Sequence, residues 1–121
     1  MMGRRVAAAL ASAAWFFAGL AFAQAPTYPS RPVTVLVPYA PGGLPDTVAR
    51  VVGQRLSDKW GQPVVIENRP GGNGVVSAQA LASRPADGYT LMITDGTMFS
   101  VNQYIYSKLP YDPVKDFTFI S

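Results

Sequence analysis

Apolar positions change their spacing several times along this chain, and each change marks an element. Val33 to Val37 is a short β-branched run, the pattern of a strand buried on both faces. Two prolines and the Gly42-Gly43 pair interrupt it. A helix is then expected from Asp46 to about Trp60, with Val48, Val51, Val52 and Leu56 at helical spacing and Arg50, Arg55, Asp58 and Lys59 turned outward. Gly61 ends it, as a C-terminal glycine does. Pro63 to Asn68 predicts a second strand, Arg69 to Gly74 a glycine-rich loop, and Val75 to Ser83 an Ala-rich second helix. Pro85 to Gly88 is a turn, and Tyr89 to Ile93 a third strand. Thr94 to Asn102 is polar and leads into a weak helix around Val101 to Ser107. Leu109 to Phe117 makes two proline turns, and Asp116 to Ser121 predicts the start of a fourth strand.

Strand, helix, strand, helix, strand, helix, with crossovers of this length, predicts right-handed βαβ units in one parallel sheet. The fold class is therefore α/β with parallel β-α-β-α-β order. Open sheets of this kind bind ligands beyond the carboxyl ends of their strands. Three loops are expected there: Pro38–Pro45, Arg69–Gly74 and Thr94–Asn102. No internal repeat is present.

The N-terminus has a separate logic. Arg4 and Arg5 precede an apolar, Ala-rich run from Val6 to Phe22, and Ala21-Phe22-Ala23 is an A-x-A site. Residues 1–23 thus read as a cleavable signal peptide, giving an exported, periplasmic protein. The rival is a membrane anchor, since the run reaches the lower end of the spanning range of roughly 17–25 residues. Its Ala content and the lack of a following basic cluster favour cleavage. Residues 24–32 read as an extended leader, and 33–121 as the folded part. Removal of 23 residues from 121 would leave 98, enough for one small domain.

Composition then narrows the chemistry. The chain has 10 Lys+Arg and 7 Asp+Glu; without Arg4 and Arg5 the balance is 8 to 7, or +1. No basic block remains, so nucleic acid is not an expected partner. There is no cysteine, hence no disulfide and no lipid anchor, and no histidine, the commonest metal ligand and general base. No catalytic residue, metal or cofactor is expected.

The candidate site residues lie in the first and third loops. Gly42 and Gly43 allow close backbone approach to a carboxylate or phosphate, or simply a turn that needs positive φ. They form neither G-x-G-x-x-G nor a P-loop. Asp46 reads first as a helix-capping acid, which would help binding only by fixing the loop or by accepting from a ligand hydroxyl or ammonium. Tyr39 at the strand tip walls a pocket or packs. Thr94, Gly96, Thr97 and Ser100, around Asp95, offer hydroxyls and N–H groups to a carboxylate, or form an ordinary polar loop. No G-x-S-x-G elbow surrounds Ser100. Arg69 reads better as solvated or paired with Glu67 than as an anion ligand.

Four ordered blocks carry a resemblance: YPSRPVTVLVPYAPGGLPDTVAR (Tyr28–Arg50), GQPVVIENRPGGNG (Gly61–Gly74), ADGYTLMI (Ala86–Ile93) and LPYDPVKDF (Leu109–Phe117). Together they resemble the N-terminal part of the Bug family, the TctC-like extracytoplasmic receptors of tripartite tricarboxylate transporters. The resemblance implies a type II periplasmic-binding-protein fold, with two α/β domains around a cleft, of which this chain matches part of the first; the second domain is absent. It implies a solute receptor that captures a small organic carboxylate and delivers it to membrane permease subunits. Carried over, the ligand loops are Tyr39 to Asp46 and Thr94 to Ser100. Many members have Gly-Gly-Gly-Thr-Asp in the first loop, where this chain has Gly42-Gly43-Leu44-Pro45-Asp46. Val75 and Ser77 stand where Asn and Gly are frequent. A single lobe cannot close over a ligand, so the chain is expected to be truncated, a monomer, and weak or inactive alone. Two other readings are an exported α/β hydrolase-like enzyme and an envelope sensor or interaction partner.

Overall fold

The computed structural model describes residues 27–121. The signal segment read over residues 1–23, and the first leader residues to 26, lie outside the described residues. Three strands, β1 (Val33–Val37), β2 (Val64–Asn68) and β3 (Thr90–Met92), form one parallel sheet in the order β2-β1-β3. Helix α1 (Leu44–Trp60) links β1 to β2. A 3-10 turn at Gly72–Gly74 runs into α2 (Val75–Ala82), which links β2 to β3; two short helices follow, α3 (Thr97–Ser100) and α4 (Asn102–Ile105).

The expected α/β class and parallel β-α-β-α-β succession are what the chain adopts. Val35 stands opposite Ile66 on one side and Leu91 on the other. The central strand is the most apolar one because neighbours cover it on both edges. Val33, Val35, Leu36 and Val37 are each at most 2% exposed. The ladder continues past the strands, with Arg69 N–H donating to Val37 O and Ile93 N–H to Leu36 O. The carboxyl ends are thus nearly flush, and the three loops leave one edge together.

Helix α1 starts two residues earlier than expected, at Leu44, because Gly43 is its N-cap and Pro45 occupies the first turn, where a missing N–H is tolerated. Gly61 closes it in the left-handed conformation (φ 66°), its N–H bonded to Ser57 O. The helix is also rotated from its expected setting. Val48, Val51 and Val52 are exposed, and the buried residues are Asp46, Ala49 and Gly53. The reason is close approach: a Cβ on Gly53 would meet Ile66 Cδ1 at 3.0 Å and Val64 Cγ1 at 3.3 Å. Small residues let α1 lie directly on β2, so helical spacing of valines named the wrong face.

Two further expectations are corrected. The weak helix expected around Val101–Ser107 is α4, but α3 precedes it, so Thr97 to Ser100 is a helical turn rather than open loop. Asp116 to Ser121, expected to start a fourth strand, forms none. Phe117 and Phe119 pack edge-on against Phe99, with ring centroids 5.1 and 4.9 Å away, and Phe117 also meets Tyr111. The described part of the leader is largely exposed, as expected, and is also anchored: Tyr28 Oη donates to Gly88 O at 2.6 Å, and Arg31 pairs with Asp87 at 2.7 Å while lying 3.9 Å over the Tyr89 ring. Those contacts clamp the amino edge of the sheet, opposite the three loops.

Candidate functional site

A single run of hydrogen bonds crosses the carboxyl edge of the sheet and joins the first and third loops through the end of β2. It begins at the first turn of α1. Asp46, 3% exposed, accepts the Gly42 N–H and the Arg50 Nε–H on Oδ2, each at 2.9 Å, and the Asn68 amide on Oδ1 at 2.9 Å. Asn68, the last residue of β2, also donates to Tyr39 O at 3.1 Å. Tyr39 in turn donates its hydroxyl to Asp95 Oδ2 at 2.5 Å, and Asp95 Oδ1 accepts the Thr97 N–H at 2.9 Å.

Local sequence explains each link. An acid in a helix first turn meets N–H groups that lack intrahelical partners, as in a capping box. Here Asp46 reaches back to Gly42, whose φ of +90° makes the tight bend. Arg50 sits one turn on, at the i+4 position where an ion pair forms along a helix. The Arg50 guanidinium, the Gly42 N–H and the Asn68 amide together hold the Asp46 carboxyl far below the ordinary carboxylate range. Asp95 is likewise lowered, chiefly by the Tyr39 hydroxyl, while burial first and Asp95 second raise Tyr39. Both shifts keep the pair as phenol and carboxylate at neutral pH.

The second loop supports the third from behind. Asn102, fully buried, donates to Asn73 O at 2.9 Å and accepts from Asn73 Nδ2 at 2.6 Å. Tyr111 Oη donates to Met98 O at 2.6 Å. A Cβ on Gly74 would meet Met98 Sδ at 2.8 Å, so loop two touches α3 at a point where only glycine fits.

The structure brings the expected residues to one edge but leaves fewer of them free. Gly42 cannot offer its N–H to a ligand, because Asp46 holds it. Asp46 itself fixes the loop; both its oxygens are engaged. Ser100 Oγ donates to Gly96 O at 2.8 Å, and Thr94 Oγ1 to Met98 Sδ at 3.1 Å. Among the described residues, the N–H groups of Gly43, Leu44 and Gly96 have no protein acceptor. Gly43 and Leu44 stand at the N-terminus of a 17-residue helix, whose dipole favours an anion there. Tyr39, Gly43, Gly96 and Thr97, whose hydroxyl lies beside Asp95, are thus what remains of the expected set to meet a ligand.

Sequence reasoning passed over Asn68 and left Asp95 out of the site. Asn68 had one signal, a polar residue ending an apolar strand just before Arg69-Pro70. Arg69 does pair with Glu67, at 2.5 Å, and Arg84 shares that carboxylate at 2.9 Å. Two shallow depressions of about 650 and 540 Å³ lie elsewhere, one along Tyr106 to Val114 and one beside Arg69, Val76 and Gln79. Neither is lined by Tyr39, Gly43 or Asp95. Among the described residues no cluster of acidic side chains is arranged to hold a metal, and no helix is long and apolar enough to cross a membrane.

Comparison with known proteins gives a consistent picture. The family described as "Tripartite tricarboxylate transporter family receptor" matches residues 48–121. The chain is 42% identical over 89 residues to a UPF0065 protein of Bordetella pertussis, covering 74% of this chain and 28% of that protein. Protein BugT of the same organism is 41% identical over 99 residues, covering 81% and 30%. Among solved structures, MatC from Rhodopseudomonas palustris with bound malate superposes with a TM-score of 0.70 at 41% identity, covering 75% of this chain and 31% of that one. An R. palustris protein solved with adipate gives 0.68 at 42% identity, covering 71% and 29%. The periplasmic binding protein BugD gives 0.69 at 34% identity, covering 74% and 30%. The chain therefore spans under a third of the length of each of these five relatives.

Proposed function

This chain belongs to the tripartite tricarboxylate transporter receptor family, a family of solute receptors and not of enzymes, and from that premise we propose that its loop edge takes a small organic carboxylate. The observation that carries the reading is the hydrogen-bonded run from Gly42 to Thr97, which holds the N-terminus of α1 and the start of α3 on the same edge. A carboxylate placed there meets the N–H groups of Gly43 and Leu44 on one side, and the Gly96 N–H and Thr97 hydroxyl on the other. Binding of this type makes and breaks no covalent bond. The donors are preorganised, so the loops need not be ordered when the ligand arrives. Solved relatives hold malate and adipate, which supports an aliphatic acid as the ligand class.

Affinity from this edge alone is low. Ligand sites normally bury about 70–90% of a small molecule, and these loops form an open rim. With four neutral donors at roughly 0.5–1.5 kcal/mol each, the dissociation constant lies at about 1 mM. Tight capture would need a second surface closing over the rim, such as the further domain expected from the resemblance. Delivery to membrane permease subunits, a periplasmic location after signal cleavage at Ala23, and a monomeric state complete the proposal.

Ligand-observed NMR tests it. The whole chain is mixed with succinate, adipate, citrate and benzoate, and with the dimethyl ester of succinate. Saturation transfer from protein to the free acids, absent for the ester, is expected. Equal transfer to acid and ester would reject carboxylate recognition, and no transfer to any acid would reject binding at this edge.

A further inference from the structure

Asp95 sets a full negative charge on the rim of the cradle. Its two oxygens accept from Tyr39 Oη and Thr97 N, and a carboxylate oxygen has a second lone pair to offer. The residue is exposed. Asp46, Glu67, Asp87 and Asp112 each pair with a Lys or Arg; among the described residues no cation pairs with Asp58, Asp116 or Asp95, and of these three Asp95 alone lies on this edge. Tyr39 has one hydroxyl proton and gives it to Asp95, so its oxygen can only accept from a ligand. The cradle is therefore split by function. Its α1 side supplies hydrogen-bond donors, and its Tyr39–Asp95 side supplies acceptors and a negative charge.

A ligand bearing carboxylates alone satisfies the first side and is repelled by the second. A ligand with a donor next to its carboxylate satisfies both. Resting on the carboxylate reading above, we propose that Asp95 and the Tyr39 oxygen accept from an ammonium or hydroxyl group on the ligand. The site then prefers amino acids first, hydroxy acids second, and acids without either group last. Asp46 cannot serve this purpose, since its oxygens are buried and engaged within the protein.

Succinate, malate and aspartate differ at one carbon, which carries hydrogen, hydroxyl or ammonium. Titration of each into the isotope-labelled whole chain at low salt, followed by amide shifts, gives the three affinities. Replacing repulsion by attraction at an exposed site corresponds to a preference of about tenfold for aspartate over succinate, with malate between. Asp95→Asn keeps the size and an acceptor for Tyr39 but removes the charge. It is expected to tighten succinate, weaken aspartate and collapse the preference. Equal affinities in the native chain, succinate as the tightest, or a preference that survives Asp95→Asn would each overturn the proposal. If Asp95→Asn fails to fold, the order of the three ligands on the native chain decides alone. Carboxylates that bind without preference defeat only this proposal, whereas no binding by any of the three defeats the carboxylate reading with it.

Discussion

The Tyr39 hydroxyl meets the Asp95 carboxylate at 2.5 Å, and this one bond ties the loop after β1 to the loop after β3. The two residues are 56 positions apart in sequence. The parallel order β2-β1-β3 makes the bond possible, because it puts both loops at the same edge. Had β3 run antiparallel, Asp95 would leave the opposite end.

Tyr39→Phe removes the hydroxyl and nothing else. A net loss of about 1 kcal/mol in stability is expected, read as a lower urea midpoint with an unchanged slope. Order in the loop holding Asp95 should fall at the same time, visible as faster hydrogen exchange at the Thr97 amide.

Asn68 ties β2 to both other parts of the first loop, Tyr39 O and Asp46 Oδ1. Asn68→Ala deletes these two bonds together with the one its Oδ1 accepts from Arg50 Nη2 at 3.2 Å, and leaves a buried acid short of a partner. A loss of about 1–3 kcal/mol is expected by urea unfolding, larger than that of Tyr39→Phe. A smaller loss would show that water replaces the amide there.

Acid should expose the role of Asp46. Its folded-state titration lies well below the ordinary 3.8, because Arg50, the Gly42 N–H and Asn68 all favour the charged form. A group depressed on folding contributes stability that is complete above its unfolded value and is lost as pH falls toward the folded one. Stability should therefore hold down to about pH 5 and decline from about pH 4 downward. Asp46→Asn should be less stable at neutral pH and show a shallower acid slope. A slope equal to that of the native chain would remove Asp46 from the account.

Gly74 tests the support behind the third loop. Its φ is +86°, and an added Cβ would meet Met98 Sδ at 2.8 Å. Gly74→Ala combines left-handed strain with displacement of buried Met98. A loss of about 1–3 kcal/mol is expected, with the Met98 methyl resonance shifted. Gly42→Ala, at a similar φ but with nothing within 4 Å of the added atom, should cost less.

What was legible in the sequence follows from how far each signal reaches. Val33 to Val37 declared a buried strand, and its central place in the sheet agrees with that apolar run. Gly61 marked the end of α1 because a left-handed cap is a local event. The face of α1 was misread because Ala49 and Gly53 bury by being small, and hydrophobic spacing is blind to close approach. That the two candidate loops share one edge was legible from strand and glycine order. Which of their donors stay free could not be read, since Gly42, Thr94 and Ser100 lose theirs to partners that only the folded loops bring near. Asn68 and Asp95 matter through contacts 29 and 56 residues away, beyond any local pattern.

The most direct measurement of the central claim is an amide-shift map of the whole labelled chain titrated with malate. Gly43, Leu44, Gly96 and Thr97 should move together with one common affinity, while Gly88 and Tyr89 at the far edge stay still. Movement confined to Arg69 and Arg84, or spread evenly over both edges, would contradict a carboxylate cradle on the carboxyl side of the sheet.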